Sequence, residues 1–243
     1  MRYAILSDIH GNLEAFQAVL KDLTGADIQK RIFLGDIVGY GPNPEDCITL
    51  LRENFDVIIA GNHDWAVAEK GGIQNFNSVA QKAIEWTSAR LSPEYKFFLF
   101  ELPLKKEENS LTFVHATPLN PQEWNYVFSG YEAIRNLRAL KRELCFVGHS
   151  HIPSVFVLSD FDELYSSLNF NEIILDEKGR FLINVGSVGQ PRDGSPLASY
   201  GILDTEKKVF YLRRVRYAIE VTQKKIIAAG LPSILAERLA RGW

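Results

Sequence analysis

Cysteine is nearly absent from this chain, with two residues in 243, and histidine is scarce, with five. Cys47 and Cys145 stand far apart in apolar surroundings. That spacing excludes a disulfide framework and a thiolate zinc knuckle and leaves buried free thiols as the expectation. Also missing is any run of about 18 apolar residues, which excludes a membrane-spanning helix. The N-terminus passes straight into the strand-like Tyr3-Ala4-Ile5-Leu6, without the basic and apolar regions of a secretion signal. A cytoplasmic location is therefore expected. An excess of positive charge is lacking as well: 27 Lys and Arg against 30 Asp and Glu give a net charge of −3. Nucleic acid is an unsupported partner on that balance. Repeats, low-complexity segments and linkers are absent too, so residues 1–243 are expected to form a single domain.

What is present is an alternation of short apolar runs with amphipathic stretches. Tyr3–Leu6, Arg31–Leu34 and Asp56–Ala60 read as strands. Between them lie a helix over Leu13–Leu20, with Asn12 as its N-cap, and a helix over Glu45–Glu53. This βαβαβ order predicts parallel strands with crossover helices. Residues 65–101 read as helix throughout, too long for a simple crossover, and are expected to form a cap leaning over a site. Leu111–Val114 and Leu144–Val147 are further strands. After Pro153 the pattern becomes a β-meander, with Asp176-Glu177-Lys178-Gly179 as a hairpin turn. A helix over Glu220–Ala229 follows.

The histidines all occupy short motifs directly behind apolar runs: His10 in Ser7-Asp8-Ile9-His10, His63 in Gly61-Asn62-His63-Asp64, His115 after Val114, and His149 and His151 in Gly148-His149-Ser150-His151. Asp36 follows Leu34-Gly35 in the same way. In α/β folds the ligand crevice lies beyond the carboxyl ends of the strands. Five strands ending in such groups would therefore deliver them to one edge. Three oxygen donors and four imidazoles are too many for one ion and suit two. Two divalent ions generate a nucleophilic hydroxide and clamp the oxygens of an in-line displacement at phosphorus. Manganese is the ion expected first, though the donors alone do not choose it: iron, zinc, cobalt and nickel are equally compatible with mixed nitrogen and oxygen donors.

Asp8-Ile9-His10, Gly35-Asp36, Gly61-Asn62-His63-Asp64, His115 and Gly148-His149-Ser150-His151 together resemble the motif series of the calcineurin-like metallophosphoesterases. Asn184–Gly194 resembles their bacterial phosphodiesterase-like branch. The resemblance implies an α/β fold, a four-layer αββα sandwich of two mixed β-sheets flanked by helices. It implies Asp8, His10 and His151 on one metal, Asn62, His115 and His149 on the other, and Asp36 bridging. His63 would then be the general acid, and a bridging hydroxide the nucleophile. The implied activity is hydrolysis of a small phosphate ester, a diester before a monoester, with a nucleotide among the candidates and a homo-oligomer left open.

Three departures qualify this. After Gly35-Asp36 the phosphoprotein phosphatases carry a second aspartate and an arginine; here the stretch is Ile37-Val38-Gly39-Tyr40-Gly41. The orienting carboxylate for the catalytic histidine is thus missing, with Asp64 as the substitute, and so is the phosphate-gripping arginine. Ala116 replaces the usual glycine after the histidine. Arg192, in a Pro- and Gly-rich loop, is the candidate phosphate contact, alongside Asn62. Tyr40, Trp65 and Phe76 are candidates for an aromatic pocket, although core packing is the commoner role of such residues. The alternatives are a metal-binding scaffold or interaction protein with little catalysis, or a phosphomonoesterase or nucleotidase. A scaffold would be expected to lose ligands, and none is lost.

Overall fold

The apolar runs become strands and the amphipathic stretches become helices. A computed structural model describes every residue except 142, 169 and 176–178. Its strands are β1 (Arg2–Leu6), β2 (Lys30–Phe33), β3 (Val57–Ile58), β4 (Lys105–Glu108), β5 (Leu111–Val114), β6 (Leu144–Val147), β7 (Ser154–Ser159), β8 (Leu164–Ser167), β9 (Glu172–Ile174), β10 (Gly179–Asn184), β11 (Ala198–Asp204) and β12 (Val209–Val215). The helices are α1 (Leu13–Leu23), α2 (Pro44–Asn54), α3 (Asn62–Val67), α4 (Ser78–Ser88), α5 (Pro93–Glu101), α6 (Gly130–Ala139), α7 (Ile219–Ala228) and α8 (Ile234–Glu237). No described helix is long and apolar enough to cross a membrane.

Two six-stranded mixed sheets result, ordered β3-β2-β1-β11-β12-β9 and β4-β5-β6-β10-β7-β8. Side chains alternate across a strand, so β1 sends Tyr3 and Ile5 to one face and Ala4 and Leu6 to the other. Tyr3 and Ile5 meet Phe113, Phe146 and Ile183 of the second sheet in the core between the sheets. Ala4 and Leu6 pack with Phe16, Val19, Ile48 and Leu51 of α1 and α2. On the far side, Cys145, Val147 and Leu182 pack against Ala133 and Leu137 of α6. The expected four-layer α/β sandwich is the observed one.

Three strands of each sheet run parallel, β1, β2 and β3 in the first and β5, β6 and β10 in the second. Their carboxyl ends carry the histidine and aspartate motifs. The loops there are stitched across the two sheets: Gly189 N–H and Ser187 Oγ–H both donate to the Asp8 carbonyl, at 2.9 and 2.8 Å.

Several expectations need correction. Residues 65–101 are not one helix: the chain breaks at Gly71-Gly72, restarts at α4 with Asn77 accepting from Val79 and Ala80 N–H, and restarts again at α5 behind Ser92-Pro93. Glycine pairs and an N-cap followed by proline at N1 are the ordinary punctuation of such breaks. The second half is not one meander: β7–β8 and β11–β12 are antiparallel pairs within a sheet, but the chain changes sheet between β8 and β9, between β9 and β10, and between β10 and β11. β9 pairs with β12 and β10 with β6 and β7, so no hairpin joins β9 to β10; residues 176–178 of the expected turn lie outside the described residues. Strands β4 and β8 went unread because they are edges, and edge strands carry polar sequences such as Lys105-Lys106-Glu107-Glu108.

Phe146 tests the inter-sheet core. It is fully buried, stacks on Phe113 at 5.8 Å and lies 5.6 Å from Phe210. Phe146→Ala should lower stability by about 3–5 kcal/mol, read as a reduced urea midpoint at unchanged slope. A loss below about 1 kcal/mol would mean that the sheets are not close-packed there.

Candidate metal centre

Five of the seven expected ligands leave their strands in a backbone conformation that L-residues rarely adopt. Asp8, His10, Asp36, His149 and His151 have φ of 56°, 50°, 61°, 65° and 61°. Such left-handed residues cost roughly 1 kcal/mol or more each, and they cluster at functional sites. The pairing of β1 with β2 continues into the loops, Asp8 N–H to Gly35 O at 2.9 Å and His10 N–H to Asp36 O at 3.0 Å, and holds these turns in place.

The side chains gather into three overlapping groups, Asp8 with His10 and His151, His10 with Asp36 and His63, and Asp36 with His115 and His149, with donor atoms within 4.8 Å of one another in each. Asp36 lies between the outer groups, its Oδ2 3.6 Å from His10 Nε2 and 3.3 Å from His115 Nε2. Asn62 Oδ1 is 3.2 Å from His115 Nε2.

Four of the imidazoles have one nitrogen committed to a main-chain carbonyl. Nδ1 of His10 meets Val38 O at 3.0 Å, that of His115 meets Leu34 O at 2.9 Å, and that of His151 meets Gln190 O at 2.6 Å. His149 uses the opposite atom, Nε2 to Trp124 O at 2.9 Å. A ring that donates outward offers a lone pair inward, the usual arrangement of a metal-binding histidine. The inner Nε2 atoms of His10 and His151 then face each other at 3.1 Å, and buried Asp8 Oδ1, 3.2 Å from His151 Nε2, has no well-formed hydrogen bond. Two opposed nitrogens beside a buried carboxylate oxygen make a place for a cation between them. The nitrogen and oxygen donor set therefore fits divalent transition metals.

The electrostatics agree. Burial opposes charge on Asp8 and Asp36, but neighbouring imidazoles, His151 for the first and His115 for the second, hold both carboxyls below the usual range. Burial pushes His149 down to about 3 and His63 down to about 4. Burial also works against a charged His115, yet the Asp36 carboxylate outweighs it and raises that ring to about 9. A proton shared there occupies the place that a cation would take.

His63 differs from the other four rings. Its Nδ1 is buried without a hydrogen-bond partner, and the ring is packed among His10 (4.8 Å), Tyr40 (4.5 Å) and Phe76 (5.0 Å). A Cβ at Gly39 would stand 2.5 Å from that Nδ1, so glycine makes room for the ring. Asp64 does not orient it. The Asp64 carboxylate instead accepts main-chain N–H bonds from Asp36 (2.8 Å), Gly61 (2.9 Å), Ile37 (2.9 Å) and Val38 (3.3 Å). The expectation of a substitute orienting carboxylate is thereby corrected: Asp64 braces the loop that carries Asp36.

A cleft of about 490 Å³ opens over these groups, lined by Asn62, His63, His149 and Arg192 and walled by Tyr40, Trp65, Phe76, Trp124 and Tyr126. Arg192 is held by Gln190 Oε1, which accepts from its terminal nitrogen at 2.8 Å, and its guanidinium lies 5.7 Å from the Tyr40 ring centre. Trp124, Tyr126 and Gln190 were not singled out in the sequence. A tryptophan in a loop gives no hint that its carbonyl will orient a histidine.

The fold and motifs find their counterpart among known proteins. The model of the calcineurin-like phosphoesterase superfamily domain matches residues 1–208, and the chain belongs to that superfamily. The crystal structure of a metallophosphoesterase from Sphaerobacter thermophilus is 38 % identical and covers 100 % of both chains with a TM-score of 0.87. The uncharacterized protein MJ0912 of Methanocaldococcus jannaschii is 44 % identical over 244 residues, 98 % of this chain and 97 % of that protein. Phosphodiesterase YfcE of Escherichia coli is 26 % identical over 215 residues, 85 % of this chain and 89 % of its own length.

Asp64→Asn tests the bracing role. The amide must turn one N–H₂ toward main-chain donors, leaving buried groups unpaired at a cost of about 1–3 kcal/mol. Chemical denaturation should show that loss, and metal affinity measured by equilibrium dialysis should fall with it. An Asn variant as stable as the parent would remove Asp64 from the account of the site.

Proposed function

We propose that the chain is a dinuclear-metal phosphodiesterase acting on a small phosphate ester. One observation carries the reading: Asp8, His10 and His151 converge on one side of Asp36, and His115, His149 and Asn62 on the other. Two divalent ions held by these groups, manganese foremost, would activate a water near neutral pH and clamp the phosphoryl oxygens. The chain's own residues supply the rest. Arg192 reaches the cleft with a planar donor fork suited to a phosphoryl oxygen, and Asn62 offers its amide beside it. His63 is the general acid: burial keeps the ring neutral on its own, and beside the anionic substrate it takes up the proton that it gives to the departing ester oxygen. In its favour is the freedom of the ring: no carbonyl fixes its tautomer, whereas the other four rings are fixed.

The diester preference draws on the cleft of about 490 Å³, which has room for a second ester group, and on the similarity to the E. coli phosphodiesterase. Residues 1–243 act as one domain in this reading. Residues 65–101 form a wall rather than a detachable cap, since Ala66, Val67 and Leu99 join the α1–α2 core and Ala80 and Ala83 pack on α7 and α8. Buried thiols at Cys47 and Cys145 suit a reducing cytoplasm. The scaffold alternative draws on exposed Phe97 and Phe100 of α5, and it forecasts metal binding without turnover.

Metal-stripped protein should not hydrolyse bis-p-nitrophenyl phosphate, and manganese should restore turnover above that of p-nitrophenyl phosphate. His63→Asn should lower kcat about 10²- to 10⁴-fold while two equivalents of metal remain bound. Arg192→Ala should act mainly on KM, raising it roughly tenfold or more. Two bound equivalents without turnover in manganese, iron, zinc, cobalt or nickel would decide for the scaffold.

A further inference from the structure

The cleft does not end at the metal centre. Past Tyr126 and Glu123, which line both spaces, it continues into a second cavity of about 650 Å³. The Tyr126 ring stacks on the His149 imidazole at 4.1 Å and 18°, and on Phe128 at 5.0 Å and 12°. Three nearly parallel rings thus lead from a proposed ligand outward. Phe128 is 61 % exposed and Tyr131, on the wall of the second cavity, is 71 % exposed. Aromatic surface left in water is unfavourable unless something covers it.

This surface is also held in order. Phe128 N–H and Ser129 N–H both donate to Glu132 Oε2 at 2.8 Å, part of the capping box that starts α6. Glu123 ties Asn120 and Asn125 together at 3.0 and 2.8 Å. The charges lining the second cavity are Glu123 and Glu132 against Arg135, whose guanidinium lies 5.8 Å from the Tyr131 ring. Two carboxylates to one guanidinium do not suit a second phosphate. A flat aromatic platform with amide groups at its rim suits a neutral planar heterocycle.

We propose that the stacked Tyr126–Phe128 pair and the cavity beyond it form a subsite for the nucleobase of a nucleoside phosphodiester whose phosphate lies at the metal centre. The subsite rests on the phosphodiesterase reading for its place in a reaction, but not for its ability to bind. Stacking on an aromatic side chain is sequence-tolerant, so the pair selects a nucleoside without selecting one base.

The test compares adenosine 5′-monophosphate with ribose 5-phosphate by titration calorimetry on the manganese-loaded full chain. The two ligands share phosphate and ribose and differ in the base. The nucleotide should bind about 5- to 150-fold more tightly, the range that one stacked base supplies. Phe128→Ala should bring the two affinities within about twofold, whereas Phe128→Trp keeps the preference. Phe128 is exposed, so neither change threatens the fold. Equal affinities in the parent, a preference that survives Phe128→Ala, or failure of both ligands to bind would each overturn the subsite. Turnover of methyl p-nitrophenyl phosphate is followed in parallel. Base preference without turnover keeps the subsite and removes the phosphodiesterase; turnover without base preference does the reverse.

Discussion

Four hydrogen bonds from imidazoles to main-chain carbonyls set the terms for the rest of this site. Val38, Leu34, Trp124 and Gln190 each take the outer nitrogen of one ring. Each bond fixes the orientation of its ring, so the inner nitrogens gather at the Asp8 and Asp36 carboxylates before any ion arrives. The bond from His115 to Leu34 also ties a strand end of the second sheet to one of the first. Sandwich packing and ligand geometry are therefore a single constraint: sliding one sheet against the other would turn the ring away.

The same loops carry five left-handed aspartates and histidines. These two residue types tolerate that region better than most, yet the conformation still stands against the preference of an L-chain. It persists around Asp8, His10 and Asp36 because main-chain bonds join the loops after β1 and β2 and Gly189 and Ser187 hold Asp8. It persists around His149 and His151 because His149 N–H donates to Asp8 Oδ2 and Arg192 N–H to the His151 carbonyl. Asp64 belongs to this frame. Its four main-chain bonds keep the Asp36 loop closed, and burial together with the Asp36 charge raises its own carboxyl to about 7. A carboxylate held in so unfavourable a place marks how strongly the fold is committed to that loop.

Much of this was legible in the sequence, for one physical reason. Buried parallel strands are short apolar runs, and polar residues directly behind them have nowhere to go but the strand ends. Asp8, His10, Asp36, Asn62, His63, His115, His149 and His151 were all placed by that rule, and the structure brings them together. What failed lacked a local signal. Edge strands β4 and β8 are polar, the carbonyls of Trp124 and Gln190 belong to no residue type, and left-handed turns were not marked by glycine. Asp64 misled because adjacency to His63 in sequence suggested contact, whereas the first turn of α3 points the two side chains to different partners. The breaks at Gly71-Gly72 and Ser92-Pro93 carry the usual local signals, yet the apolar spacing on either side of them is helical and runs on as if continuous.

The loop after Asp36 bears on where a phosphate would be gripped in the proposed reading. The sequence departs there from the phosphoprotein phosphatases, which carry an arginine, and Gly39 and Tyr40 fill the space. Gly39 must stay without a side chain because His63 Nδ1 would lie 2.5 Å from its Cβ, and Tyr40 packs its ring 4.5 Å from the same imidazole. A loop that cradles the proposed acid so closely has no room for a long cation. Arg192 then approaches over the outer face of Tyr40 from the loop after β10, anchored by the Gln190 side chain. The Gln190 carbonyl orients His151, so one residue sets both a proposed ligand and the proposed phosphate contact. Trp124 and Tyr126 wall the same cleft, and Tyr126 leads on to Phe128 in the second cavity. In the proposed reading the site divides into a cationic wall for the phosphate and an aromatic wall for what the phosphate carries.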